Sequence, residues 1–551
     1  MKKITRIFVI VYIAALALPA LAMPLFRNQK TSENRELSDF PEARAEDGGW
    51  NEEFFGELDT WINEHIGFRA PLIDANNRWQ QSLFGQSPNE KLIVGDGDWL
   101  YFTETENDYL NIATLSDRNF SNIAHTLLMM QSYAKAQGAS FVVAVAPNKN
   151  SLYDEAMPYY YVPSERKGNW EKLAAAMDAA GVTYADLFAA FGAEDEVLYQ
   201  HGDSHWNYKG ALLAYNTILD RLETNHRTFA DATFSVRKDW EPDLGNMLYA
   251  GTAPLAEQLY CDYAFTYQVT SHESKVDAIT LETVCENGEG SVLVFRDSFC
   301  NTMQVYFAEN FSEALFSRAV PYRMDYLSKY HPDVAVLEIV ERNLPDLAAK
   351  APVMQAPVVS LSVDASLVDS EQILLRSELS GSFLHIYGSV EADWLGGSYR
   401  AYLVCQNGEE VTALEAFPIF EQELLGADAP GDNGFSLYVP KGAFPSGTEC
   451  RMVIETGGRY YTTDAQAMEA FEGGDDEPTP DNPSPVPSPG ATAEPTPTYG
   501  GEPSPAPTAE PEDTPSPTPT AKPQNTPTPK PQNTPLGRRG GESNVRAAGF
   551  G

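Results

Sequence analysis

The chain is predicted to be an α/β protein: a three-layer α/β/α domain on a parallel sheet, then a small β-sandwich, then a disordered Pro/Thr-rich tail. Three observations predict this. From Phe120 to Val340, apolar runs of strand length alternate with segments of helical period, as in a parallel sheet covered on both faces. From about Pro352 the helical period vanishes, and short alternating strands are split by Gly, Asp and Asn. From about Gly473 the chain is Pro, Thr, Ser, Glu and Gly, too poor in apolar side chains to bury a core. The expected boundaries are 1–23 for a signal peptide or membrane anchor, 30–350 for the α/β domain, 353–470 for the sandwich and 473–551 for the tail.

At the N terminus, Lys2, Lys3 and Arg6 precede the apolar run Ile7 to Met23, and Ala20-Leu21-Ala22 resembles a small-x-small cleavage site. Cleaved or retained, such a segment leaves the rest of the chain outside the cytoplasm, secreted or anchored at the cell envelope. Phe54, Phe55, Leu58, Trp61, Ile62 and Ile66 recur at helical spacing, and a second helical stretch runs through Leu72, Ile73, Trp79 and Leu83. Leu92 to Phe102 reads as a hairpin around a Gly-Asp-Gly-Asp turn.

The alternation then begins. Phe120, Ile123, Leu127, Leu128 and Tyr133 make a helix that stops at Gly138. Ser140 to Ala146 is apolar without interruption, as expected of a strand buried on both faces. Trp170, Leu173 and Met177 mark a helix ending at Gly181, and Val182 to Leu187 a short strand. Ala211, Leu212, Tyr215, Ile218 and Leu222 give the next helix. Val292 to Phe295 is a strand, Phe299 to Phe307 a helix and Asp333 to Val340 the last buried strand. In the tail, KPQNTPTP is followed by KPQNTPLG, and polyproline-like stretches would extend at about 3.1 Å per residue.

A formal net charge of −40 excludes nucleic acid as a partner, because phosphates would be repelled. Neither a C-x-x-C pair nor a glycine-rich phosphate loop occurs, so neither a metal nor a cofactor is expected. Of the five cysteines, Cys405 with Cys450 and Cys261 with Cys285 are candidates to pair, leaving Cys300 as a free buried thiol; all five reduced is the alternative.

Two short stretches can carry chemistry. Asp203 and His205 stand two apart before a helix, so in extended backbone their side chains point the same way. The carboxylate could hold one imidazole nitrogen while the other faces out as a base. The bland alternative is that Asp203 caps the helix and that His205 and Trp206 are core. Ser298 follows the strand 292–295 at a helix start, where free backbone N–H groups can bind a developing oxyanion. Its bland alternative is an N-cap, with Asp297 or Ser298 in that position.

Taken in order, these stretches belong to a larger set. It comprises SENRELSDFP (32–41), His65-Ile66-Gly67-Phe68-Arg69, Val94-Gly95-Asp96-Gly97-Asp98-Trp99-Leu100-Tyr101 and Ala146-Pro147-Asn148-Lys149-Asn150-Ser151-Leu152-Tyr153. Asp203-Ser204-His205-Trp206-Asn207, Asp297-Ser298-Phe299 and Val340-Glu341-Arg342-Asn343-Leu344 complete it. The set resembles the SGNH-hydrolase-like proteins of the alginate O-acetyltransferase group and their DHHW relatives, over roughly residues 30–350. The resemblance implies an SGNH-like fold, with Ser298 as nucleophile, His205 as base and Asp203 as orienting acid. Here Asp-x-His precedes the serine, the reverse of ordinary SGNH esterases. It also implies a surface polysaccharide as acceptor and a membrane-bound O-acyltransferase as acyl donor, since acetyl-CoA is cytosolic.

The chain departs from the pattern at Arg296, where alginate enzymes commonly carry Gly; this side chain would narrow the pocket or pair with a substrate carboxylate. Asn148 or Asn150 is a candidate second oxyanion donor, or else a turn residue. Glu341 and Arg342 either bind substrate or form a structural ion pair. The expected function is an extracytoplasmic polysaccharide O-acetyltransferase. Its rivals are an acetyl esterase using the same three residues and a non-catalytic glycan-binding surface protein.

Overall fold

The computed structural model describes residues 2–468, apart from 27–37, 45–48, 52, 85–86, 88, 113–114, 250–252, 362–365, 368–372, 392–394, 396–397 and 420–430. Most of SENRELS and the whole Pro/Thr-rich tail therefore lie outside the described residues.

The N-terminal α1 (Lys2–Phe26) contains a stretch, Ile4–Pro24, long and apolar enough to cross a membrane; a signal sequence has the same character. Helices α2 (Phe54–His65) and α3 (Arg69–Phe84) follow, then the hairpin β1 (Leu92–Val94) and β2 (Leu100–Phe102) at the predicted turn. Next come α4 (Glu106–Leu110), α5 (Asp117–Ala136) and β3 (Ser140–Ala146). Ser116 starts α5 by accepting from the Asn119 N–H at 3.0 Å. After α6 (Lys149–Leu152) comes α7 (Asn169–Ala180), which Gly181 ends at φ +77°, a left-handed conformation that a side chain would strain. The chain continues through β4 (Tyr184–Ala185), α8 (Leu187–Gly192) and α9 (Tyr208–Arg221). It then forms β5 (Phe234–Trp240), α10 (Asp243–Leu248), β6 (Ala256–Cys261), β7 (Gln268–Val269) and β8 (Thr280–Val284). The domain closes with β9 (Ser291–Phe295), α11 (Cys300–Asn310), β10 (Glu313–Ser317) and β11 (Val334–Val340).

The main sheet has the order β4-β3-β11-β9-β10-β8-β7. Its first five strands are parallel, and β8 and β7 add an antiparallel edge. That edge departs from the all-parallel expectation: strands of two and five residues with mixed composition give no uninterrupted apolar run. The parallel strands alternate between two cores. Phe141, Val143 and Val145 face α5 and α7, whereas Val142, Ala144 and Ala146 face α8, α9 and α11. Strand β11 enters the sheet last and lies between β3 and β9. The chain thus diverges there, and loops from the carboxyl ends of β3, β11 and β9 meet over the central strands.

Two further sheets follow. Strands at 373–380, 383–390, 434–440 and 417–419 form one. Those at 399–407, 410–415, 449–456 and 459–462 form most of the other. Ile386, Leu437 and Phe435 of the first share a core with Leu403, Met452 and Ile454 of the second, which makes a sandwich. Phe383, Phe417, Ile419 and Tyr438 extend the first sheet's outer face into the α/β core. Arg118 to Asp432 at 2.6 Å and His125 to Glu415 at 2.8 Å fasten the same contact.

All five cysteines are free thiols. Cys405 and Cys450 stand opposite one another on paired strands, with Sγ atoms 2.8 Å apart. Cys261 and Cys285 do not pair: Cys261 belongs to the separate β5–β6 hairpin, whereas Cys285 follows β8 in the main sheet. Cys300 is fully buried.

Candidate active site

Strand β9 ends at Phe295, and Ser298 lies in the turn before α11. Asp297 builds that turn. Its carboxylate accepts from the Phe299 N–H at 2.9 Å and the Val340 N–H at 2.7 Å, tying the ends of β9 and β11 together. The N-cap of α11 is Phe299, neither Asp297 nor Ser298; Asp297 holds the turn ahead of it, and the Ser298 hydroxyl is left for another partner. That partner is His205, whose Nε2 lies 2.8 Å from Ser298 Oγ. Among the described residues nothing accepts from the Ser298 N–H.

The segment carrying His205 is a turn between α8 and α9. Asn207, not Asp203, caps α9, accepting from the Lys209 and Gly210 N–H groups. Asp203 turns back on His205 instead: Oδ1 accepts from Nδ1 at 2.8 Å and from the His205 N–H at 3.0 Å. Its Oδ2 accepts from Trp240 Nε1 at 2.9 Å and from the Asp243 N–H at 3.1 Å. Burial pushes the Asp203 carboxyl up, but the donors from His205, Trp240 and Asp243 outweigh it and hold the group at about 2. Burial pushes the His205 imidazole down, the Asp203 carboxylate pulls it up, and it rests above the usual histidine range. Trp206 is core, as its bland reading had it, and it is also a strut: its Nε1 donates to the Phe299 carbonyl at 2.9 Å and to Thr302 Oγ1 at 3.1 Å. These bonds tie the His205 turn to the Ser298 turn.

Three residues at this site escaped the sequence reading. Trp240 and Asp243 come from the β5–α10 connection, about forty positions away from Asp203, and no local pattern marks them. Asp243 accepts from the Ser204 N–H at 2.8 Å and from the Ser204 hydroxyl, and its Oδ2 lies 3.6 Å from His205 Nδ1. Burial and the Asp203 charge push it up to about 6. Lys149 lay within a quoted motif without a role. Its ammonium is buried and donates to the carbonyls of Gln200, His201 and Asp203 at 3.0, 2.8 and 2.7 Å. Burial lowers it to about 7 against the pull of Asp243 and Asp203.

The remaining candidates sort as follows. Arg296 is almost wholly buried and clamps the Val276 carbonyl at 2.6 Å and the Ala278 carbonyl at 3.3 Å, so it holds a loop rather than a substrate carboxylate. Glu341 accepts from the Asn148 N–H at 2.9 Å and the Ser151 hydroxyl at 2.6 Å; burial raises it to about 7. Its partners are thus Asn148 and Ser151, and no ion pair with Arg342 is found among the described residues. The half-buried Arg342 guanidinium lies over the Phe299 ring at 5.5 Å and the Phe102 ring at 5.6 Å. Asn148 spends its N–H on Glu341, whereas both amide atoms of the buried Asn150 lack a partner among the described residues.

Asp203, His205 and Asp243 offer three metal-donor atoms within 4.8 Å of one another. Each oxygen of Asp203 already accepts two N–H donors, and His205 Nδ1 faces Asp203, so a cation would have to displace this network. His201 and His205 are four apart, a spacing that brings two ligands together on a helix. This segment is a turn, however, and His201 stacks on Trp99 at 4.3 Å while His205 faces Ser298.

A second row of acid, imidazole and hydroxyl runs across three adjacent strands of the first sandwich sheet. Glu378 lies 3.0 Å from His385 Nδ1, and His385 Nε2 lies 2.8 Å from Ser436 Oγ. Ser436 sits mid-strand between two paired neighbours, with no helix start to hold an oxyanion, and is 1% exposed. Burial lowers His385, which keeps its ring neutral. This row is cross-strand packing within one sheet, not a site.

Residues 92–325 match the family described as SGNH hydrolase-like domain, acetyltransferase AlgX. The motif resemblance is borne out over that stretch, which matches the model of an SGNH hydrolase-like acetyltransferase domain. No curated protein sequence matches the chain. Among solved structures, it resembles a DHHW family protein from Eubacterium siraeum at 14% identity, covering 46% of this chain and 91% of that one, with TM-score 0.36. Bacillus cereus PatB1 gives 17% identity, 46% and 96% coverage and TM-score 0.37. Pseudomonas aeruginosa AlgX gives 13% identity, 66% and 94% coverage and TM-score 0.31.

Proposed function

We propose that this protein is an extracytoplasmic O-acetyltransferase that acylates a cell-surface polysaccharide through Ser298. One observation carries the reading: an unbroken row from Asp203 through His205 to Ser298 Oγ, with 2.8 Å at both steps. His205 Nε2 takes the hydroxyl proton as Ser298 Oγ attacks the donor's acetyl carbonyl. The tetrahedral oxyanion is held by the Ser298 N–H and the positive end of α11, with the Asn150 amide as candidate second donor. His205 returns the proton to the leaving group, and the acetyl group stays on Ser298. A sugar hydroxyl, deprotonated by the same nitrogen, then attacks the acyl-serine and restores the free enzyme. The donor outside the cytoplasm would be a membrane-bound O-acyltransferase, and the apolar N-terminal helix supports delivery to that side.

Purified protein is incubated with an activated acetyl ester and an oligosaccharide, and products are read by mass spectrometry. Acetylated sugar is expected, and Ser298→Ala should lower its formation at least roughly a thousandfold. Free acetate as the sole product would make the protein an esterase. Full turnover by Ser298→Ala would remove this serine from the mechanism.

A further inference from the structure

A cavity of about 680 Å³ lies beside the cluster, and Ser298 is not among its lining residues. Its volume is in the range of small-ligand sites. One wall is Gln200, His201 and Gly202, the residues leading into Asp203; the others come from the β1–β2 hairpin and the β5–β6 hairpin. Two buried amides line it without their full complement of partners. Among the described residues Gln200 has no partner for either amide atom, and Gln258, wholly buried, has none for Nε2. Orphaned amides at this depth cost about 1–3 kcal/mol each unless a ligand or water satisfies them. At the rim, the exposed His201 ring lies flat on Trp99, at 4.3 Å between centroids and 23° between planes. Burial and Lys149 lower His201, so the pile is uncharged at neutral pH. The charged lining is acidic in balance: Asp98 and Glu257 against Lys238, with Glu196 already paired to Lys209.

We propose that this cavity is a subsite for an uncharged sugar unit of the acceptor chain. Amides with both donor and acceptor capacity suit vicinal hydroxyls, and a flat ring pile suits the apolar face of a pyranose. An acidic balance disfavours a uronate carboxylate. The proposal rests on the polysaccharide reading above and deepens it by naming the sugar class. The wall that would meet the sugar is also the run whose carbonyls hold Lys149, and the Gly202 carbonyl accepts from the Gly245 N–H of α10 at 2.9 Å. A bound sugar would therefore brace the segment that presents Asp203 and His205.

The test uses the full chain carrying Ser298→Ala, so that binding is read without turnover. Cellohexaose, mannohexaose, chitohexaose and a hexameric polyuronate are titrated by calorimetry. At least one neutral hexamer should bind at least tenfold more tightly than the polyuronate. Trp99→Ala should weaken that binding at least tenfold and Gln258→Leu at least fivefold, with far-UV circular dichroism checking each fold. If Trp99→Ala fails to fold, Gln258→Leu and Gln200→Leu decide. Binding of no hexamer, equal binding of the polyuronate, or binding unchanged in the folded variants overturns the proposal and leaves the cavity to water. Failure of acetyl transfer in the wild-type assay, with this binding intact, would instead overturn the catalytic reading.

Discussion

Trp240 Nε1 donates to Asp203 Oδ2 at 2.9 Å, so the carboxylate facing His205 is held from its far side by an indole. With the Asp243 N–H on the same oxygen, Asp203 has one oxygen for the imidazole and one for its own anchorage. A hydrogen bond to a charged group contributes about 1.5–3 kcal/mol. Trp240→Phe keeps the bulk and removes the donor. It should lower kcat about tenfold or more with KM little changed, as measured by steady-state acetyl transfer.

Asp243 raises His205 through space and carries no hydrogen bond to it. A base must be neutral to work, so activity should fall as pH drops through the His205 pKa, which lies above the usual histidine range. Asp243→Asn removes one nearby negative charge and so lowers that pKa. The acid limb of kcat/KM should move to lower pH, while the Asp203 contact from the residue-243 N–H survives. A limb left in place or moved upward would contradict this account.

Lys149 closes the Gln200–Asp203 run by donating to three carbonyls. Lys149→Met fills the space but orphans those acceptors, each costing about 1–3 kcal/mol if it stays buried. The variant should lose several degrees in Tm and lower kcat together, because the same segment presents Asp203 and His205. Calorimetric melting and turnover are the two readouts.

Arg118 pairs with Asp432 at 2.6 Å and His125 with Glu415 at 2.8 Å, joining α5 to the sandwich. Glu415→Gln should weaken this docking by about 1 kcal/mol, since the pair is partly solvated. Limited proteolysis should then cut between the α/β domain and the sandwich sooner, with turnover by the α/β domain unchanged.

Cys405 and Cys450 face one another across paired strands. Mild oxidation should join them and raise the Tm of the sandwich, because a closed loop restricts the unfolded chain. Peptide mass mapping under non-reducing conditions should find this link and none between Cys261 and Cys285.

Much of this architecture was legible in the sequence. The uninterrupted apolar run within Ser140–Ala146, and Asp333–Val340 with Glu338 as its one polar interruption after Asp333, announce strands buried on both faces, because such strands lack the polar alternation of a half-exposed one. Asp203, His205 and Ser298 were legible for a similar reason: a strand-to-helix turn and an Asp-x-His pair are local patterns. The antiparallel edge, the role of Arg296 and the true cap of α9 were not, because each depends on which neighbour a side chain finds after folding. By itself, the sequence determined the periodicities and the short motifs, both set by nearest neighbours along the chain. Only the tertiary structure decided that Trp240, Asp243 and Lys149 surround Asp203, and that His205 Nε2 meets Ser298 Oγ across ninety-three positions. Hydrogen bonds act over about 3 Å in space and are indifferent to separation along the polymer.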